Sequence, residues 1–472
     1  MTDEAPTLTS STAFLDEPGG KLFPGMKWLT PRRLAFFLIF WISIFFAGSI
    51  FINNPFTGSA GATNWDVGAN SPNYYWVVMY LHGLNTGLVG LAALVACDLF
   101  NLPSLRVRRG ILGGVMVAGV LAPIGAIFNT SAPWTNAGLW VQIAAFLALD
   151  EIVILFLWGM LEVWREGAPR SRTLPFITAT LTGAAMLFAA LMGHLAGTIL
   201  GFGNNPPVLG WYATQEIGES LGDFAGNLIA AHSYLMTSAV PAGVLSLVAV
   251  RFGYYGLKGR TKKLAQTGLA LVCVDLVLQM GMALLVGFSN WPGNLPPEIA
   301  SMPLLPSFVA VNDAVDFLFL ILGGALLLVA LLIASGRLQG WKIPSNLPLR
   351  VLPLLMLVMF TVVTAATEPE DGSVLGAPTL AWLRLYIAFY LTMLVALSAV
   401  LSERLLGDRY KMRLGWTTTA GVLLTFAGVM VYLSTGVYDV GFVTVAGLLL
   451  IGFSFVSMAW WGLTTGSSTP SP

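Results

Sequence analysis

Three histidines carry most of the capacity for metal chemistry in this chain of 472 residues. They are His82 in YYWVVMYLHGLNTGLVGL, His194 in LMGHLAG and His232 in AAHSYLMTSAVPAG, each inside a long apolar run. Imidazole is the commonest protein ligand of haem iron and copper, and it also serves as a simple polar partner between packed helices. Carboxylates are buried in similar company: Asp150 and Glu151 in LALDEIVILF, Asp275 with Gln279 in VCVDLVLQM, and Asp313 and Asp316 in VNDAVDFLF. Acidic groups in apolar segments are candidate proton relays or ion sites, with structural hydrogen bonding as the competing reading. Cys97 and Cys273 have no CxxC partner and read as small core residues. No Walker loop, dinucleotide fingerprint, hydrolase triad or zinc-finger spacing is present, and no basic run points to nucleic acid.

The elements that position these groups are membrane helices. The chain is 56% hydrophobic and 10% charged, with a mean hydropathy of +0.78, outside the range of soluble domains. Apolar runs of membrane-crossing length predict an all-α, polytopic fold of twelve transmembrane helices. The runs are 34–53, 74–98, 110–129, 138–163, 174–201, 227–252, 264–288, 308–336, 350–366, 380–402, 416–434 and 441–463. They form one membrane domain, 34–463, between a cytoplasmic polar tail at 1–33, whose first 20 residues are expected to be disordered, and a cytoplasmic C-terminal tail at 464–472. Charge placement supports the count. Of the 23 basic residues, all but Arg384 fall on the side of the N-terminus, while the opposite loops carry only acidic charge. That asymmetry predicts cytoplasmic termini. Arg384 near the outer end of the tenth run either snorkels outward or pairs with a carboxylate, a haem propionate or a lipid headgroup.

This topology places His82 about eight residues, or about 12 Å, from the outer end of its run. His194 lies about seven residues, and His232 about five, from the outer ends of theirs. All three are predicted in the outer third of the bilayer, where two or more could face one site. The outer loops 202–226 and 289–307 are the longest candidate docking surfaces, with Trp211, Tyr212 and Trp291 as interfacial anchors.

Twelve spans with histidines near the outer face of the second and sixth make the chain resemble subunit I of the haem–copper oxidase superfamily, which includes nitric oxide reductases. The His82–Gly83 pair is similar to the family's second helix, so the resemblance assigns His82 as a low-spin haem ligand. His232, nine residues before Pro241, is similar to the copper-ligand histidine of its sixth helix. FLWGMLEVWREG (156–167) is similar to the corresponding connection in the divergent B-type oxidases. The departures are substantial. Ser289 and Asn290 stand where the family has two adjacent copper-ligand histidines, and Trp382 and Arg384 where it has an HxH pair. Met236 takes the place of its reactive tyrosine, with Tyr234 on another face, and His194 has no counterpart among its ligands.

A centre with three copper ligands, one proximal haem ligand and two low-spin haem ligands needs more than the three histidines in the chain. A complete haem–copper centre is therefore not expected, although one haem or one metal ion on His82, His194 and His232, with Arg384 nearby, remains open. The resemblance implies a multi-pass protein of the plasma (inner) membrane, bounded by lipid and by other subunits of a respiratory electron-transfer complex. Two alternatives stand beside it. One is a redox enzyme with a reduced cofactor set, one haem on two of these histidines and quinone as donor or acceptor; the other is a proton-linked secondary transporter using the buried carboxylates.

Overall fold

The computed structural model describes residues 14–52, 72–131, 136–202, 207–218, 220–288, 318–339, 393–398, 400–401, 408–435 and 441–464. Among the described residues the fold is all-α, with no strand. Its long helices are α1 (Pro31–Ile52), α2 (Pro72–Leu99), α3 (Leu105–Ser131), α4 (Asn136–Arg165) and α5 (Leu174–Phe202). They continue with α6 (Leu221–Arg251), α7 (Gly259–Phe288), α8 (Leu318–Gln339), α9 (Asp408–Thr435) and α10 (Gly441–Thr464). These helices overlay ten of the predicted apolar runs. The run at 350–366 lies outside the described residues, and the tenth is described only within 393–401. Most helices run past the ends of their apolar stretches, since polar first and last turns lengthen a helix beyond its apolar part.

Five described segments are long and apolar enough to cross a membrane: Trp140–Arg165, Leu174–Ile199, Leu221–Arg251, Gly259–Phe288 and Phe442–Thr464. A helix closes its own backbone hydrogen bonds, which is why hydrocarbon accepts it. Their outward faces carry apolar side chains expected of lipid contact, as with Leu449, Phe453, Val456 and Trp460 on α10, and on α4 with Trp140, Leu147, Ile154 and Trp158, where the exposed Glu151 interrupts the stripe. α6 differs: 78% of its apolar window is buried, against 33–44% in the other four, so it is the central helix. It packs most extensively on α5 and next on α7, with further contacts to α2 and α8. The other main pairings are α3 with α4, α7 with α8, α9 with α10, and α1 with α10. Gly268 on α7 and Gly323 on α8 face one another's backbone, and a side chain at either would meet the opposite carbonyl.

The start of α6 is set by local chemistry. Ser220 accepts a hydrogen bond from the Asp223 amide at 3.1 Å and donates its hydroxyl to the Asp223 carboxylate at 2.6 Å, a reciprocal N-cap. Pro241 lies inside α6 without ending it. Among the predicted interfacial anchors, Trp211 is exposed, whereas Tyr212 turns inward and donates its hydroxyl to the Phe288 carbonyl at 2.7 Å. Phe224 packs against both Tyr212 and Phe288, so this turn ties the first residues of α6 to the end of α7. Trp291 lies outside the described residues.

Residues 14–20 depart from the disorder expected of their composition. Residues 14–30 fold against α2 and α3, with Phe14, Leu15 and Leu22 at most 2% exposed. The Leu15 amide donates to Asp98 at 3.1 Å, and Glu17, itself 2% exposed, takes an ion pair from Arg108 and a longer one from Lys21 at 3.4 Å. Arg109 donates to the Lys21 carbonyl at 2.8 Å. Three apolar side chains at fitting positions, with their charges paired, outweigh a polar average over the tail.

Candidate functional site

α4 and α5 bring two of the candidate residues into direct contact. His194 Nε2 lies 2.6 Å from Asp150 Oδ2, with the histidine side chain 39% and the aspartate 21% exposed. Phe146, one turn before Asp150, sets its ring edge-on to the imidazole with centroids 6.4 Å apart. Thr198 donates its hydroxyl to the His194 carbonyl at 2.8 Å, one turn further along α5. The chemistry of such a dyad is protonic. A lone carboxylate at membrane depth costs about 2.5–3.5 kcal/mol, and one added proton makes the pair net neutral. It can hold that proton on either partner and exchange it across a single short hydrogen bond.

The second polar contact joins α5 to α6. His232 Nδ1 lies 2.8 Å from the Ala189 carbonyl oxygen, so Nδ1 carries the hydrogen and donates it. The lone pair is then on Nε2, the arrangement typical of a metal-ligating imidazole and equally of a satisfied structural one. Gly193 makes room for this ring: a Cβ there would stand 3.0 Å from Nδ1. His194 and His232 are near enough to act on one another electrostatically. His232 therefore fits one ligand position, with its tautomer fixed by α5.

The other candidates separate from this pair. Glu151, adjacent to Asp150, turns to the opposite side of α4, where its carboxylate lies beside Gly110 of α3. His82 is on α2, but at a different level. Gly114 of α3 faces Ala148 and Ile152, the neighbours of Asp150, and the next residue, Val115, faces Gly90 of α2. Gly90 lies eight residues, or about 12 Å of helix, beyond His82. The common depth predicted for the histidines assumed every run centred alike in the bilayer, and the offset of α5 along its axis against α2, α3 and α4, set by the Asp150–His194 contact, removes it. The pairing of Asp150 with His194 was missed for the same reason, since one reads as mid-span and the other as near the outer end. Asp275 and Gln279 are each 2% exposed and share one face of α7. Gly287 of the same helix faces Ala231 and Leu228, so Asp275 sits twelve residues, about 18 Å, from the level of His232. Asp313, Asp316, Arg384, Trp382, Ser289 and Asn290 lie outside the described residues.

Cys97 is fully buried, and Cys273 lies 3.2 Å from the Thr178 hydroxyl on α5. Both sit among packed helices, as small core residues do. Among the described residues, no group of three or more histidine, cysteine, aspartate or glutamate side chains stands close enough together to hold a metal ion.

No protein-family model matches the chain. No solved structure matches it. The replication protein E1 of Bos taurus papillomavirus 2 and that of Bovine papillomavirus type 1 are each 32% identical to it over 71 residues. That stretch is 15% of this chain, and the chain spans 12% of the length of the viral proteins, which sets no family for it.

Proposed function

We propose that this chain is a twelve-span protein of the haem–copper oxidase subunit I type. In this reading it works within a respiratory electron-transfer complex of the plasma (inner) membrane without a complete oxygen- or nitric-oxide-reducing centre. Both termini are cytoplasmic, and the reading leaves room for one haem or metal ion at most. The observation that carries it is His232, nine residues before Pro241 on the central helix, with Nδ1 donating to the Ala189 carbonyl. The limit on cofactors comes from the three histidines of the whole chain, too few for two haems and a copper.

The test is an absorption spectrum and metal analysis on one purified preparation, with quinol-driven oxygen and nitric oxide consumption measured beside them. The expected result is one haem iron or metal ion per chain at most, and no turnover. Two haems and a copper with turnover would overturn the reading. A second reading, proton-linked transport, is favoured by the Asp150–His194 dyad alone. Substrate-driven proton uptake into proteoliposomes, lost in Asp150→Leu, would establish it in place of the first.

A further inference from the structure

A cavity of about 730 Å³ lies where α3 begins against the inner half of α4. Arg106 and Arg109 line it from one face of α3, three residues apart, and Leu155, Trp158 and Glu162 line it from α4. In the topology predicted from the basic residues, this is the boundary between the cytoplasm and the inner leaflet. Trp158 is 52% exposed there, and Ile154 and Leu147, further along the same stripe, are 51% and 59% exposed. Indole rings sit at the headgroup level of a bilayer, and apolar side chains beyond them face its acyl chains.

The charges in the cavity identify what it takes. Arg106 and Arg109 supply two cationic forks, with one nitrogen of Arg109 committed to the Lys21 carbonyl at 2.8 Å. Glu162 accepts the Trp158 indole N–H at 2.9 Å through Oε1, which fixes the ring against the cavity wall. Its other oxygen, Oε2, is buried and has no hydrogen-bond partner in the structure. Two guanidiniums lining one cavity call for an anionic ligand. A phosphodiester supplies that charge, and at this depth its source is a phospholipid.

We propose that this cavity binds an anionic phospholipid of the cytoplasmic leaflet, of the phosphatidylglycerol kind. The phosphate lies on Arg106 and Arg109, the headgroup sits beside the Trp158 indole, and an acyl chain packs on Ile154. Basic pockets between membrane helices on the cytoplasmic side hold acidic headgroups by this combination of charge and depth. The site is independent of any cofactor and stands whatever the histidines hold.

The test is native mass spectrometry of the full chain in detergent, titrated separately with dioleoylphosphatidylglycerol, dioleoylphosphatidylethanolamine, dioleoylphosphatidylcholine and inorganic phosphate. Retention of one phosphatidylglycerol in preference to the other three is expected. At about fivefold per arginine, Arg106→Gln with Arg109→Gln should weaken that binding roughly 25-fold, and Arg106→Lys with Arg109→Lys should restore most of it. Arg106→Gln alone, on an exposed side chain, should show the single fivefold step with unchanged helical circular dichroism. Equal retention of the three lipids, retention of inorganic phosphate as strongly as of lipid, or a folded Arg106→Gln with undiminished binding would each overturn the proposal.

Discussion

Asp150 and His194 make the most exacting prediction, because one short hydrogen bond joins two helices that otherwise meet less extensively than their neighbours. Asp150→Leu removes the acceptor, His194→Phe removes the ring nitrogens while keeping a ring for Phe146, and the double variant leaves an apolar pair. Interhelical hydrogen bonds within membranes contribute about 0.6 kcal/mol on average and about 1.7 at most. A charge-assisted bond of 2.6 Å belongs toward the upper end, and the 39% exposure of the histidine draws it down again. The expected coupling energy is about 1 kcal/mol. Each single variant loses that much or slightly more, and the double variant loses about as much as either single one, because the bond is already gone after the first substitution. The assay is unfolding of the purified protein in mixed micelles by increasing sodium dodecyl sulfate, followed by far-ultraviolet circular dichroism. A coupling energy within about 0.3 kcal/mol of zero would refute the pairing, since sites out of contact add to that accuracy.

Glu17→Gln strips the charge from a carboxylate that pairs with Arg108, at a cost of about 1–3 kcal/mol to docking of the N-terminal segment. Trypsin should then cut at Lys21 and Lys27 roughly tenfold faster or more, and an unchanged rate would show that the ion pair does not hold the segment. Tyr254, in the turn after α6, is 3% exposed, and burial pushes its hydroxyl up to about 12. An unfolded phenol loses its proton near pH ~10, so the folded chain binds more protons between the two values and stability falls as pH rises through that window. Tyr254→Phe should remove a loss on the order of 1–2 kcal/mol there, visible as a flatter alkaline unfolding profile. Topology is tested in a Cys97→Ala, Cys273→Ala background. An impermeant maleimide applied to intact cells should label Ala300→Cys and leave Ser345→Cys unlabelled, and the reverse pattern would invert the orientation.

Much of the architecture is legible in the order of residues alone. Apolar runs of 20 residues or so determine helices wherever water is absent, because each helix satisfies its own backbone without a partner. Arginine and lysine placement predicts their orientation, since charge acts on the chain as a whole and needs no contact to be read. The count of three histidines argues against a full haem–copper centre for the same reason: a count is indifferent to packing. Contacts across helices are different, because they depend on stagger. Nothing in LALDEIVILF says that Asp150 turns to α5 and Glu151 to α3, or that His194 lies level with Asp150 and His82 some two turns away. Composition alone likewise hides the N-terminal segment, whose Phe14, Leu15 and Leu22 find their pocket only when α2 and α3 stand side by side. Period and charge are local or global sums, and the sequence holds them outright. The axial offset between neighbouring helices is set by side chains interlocking along their whole length, and the candidate site depends on that offset.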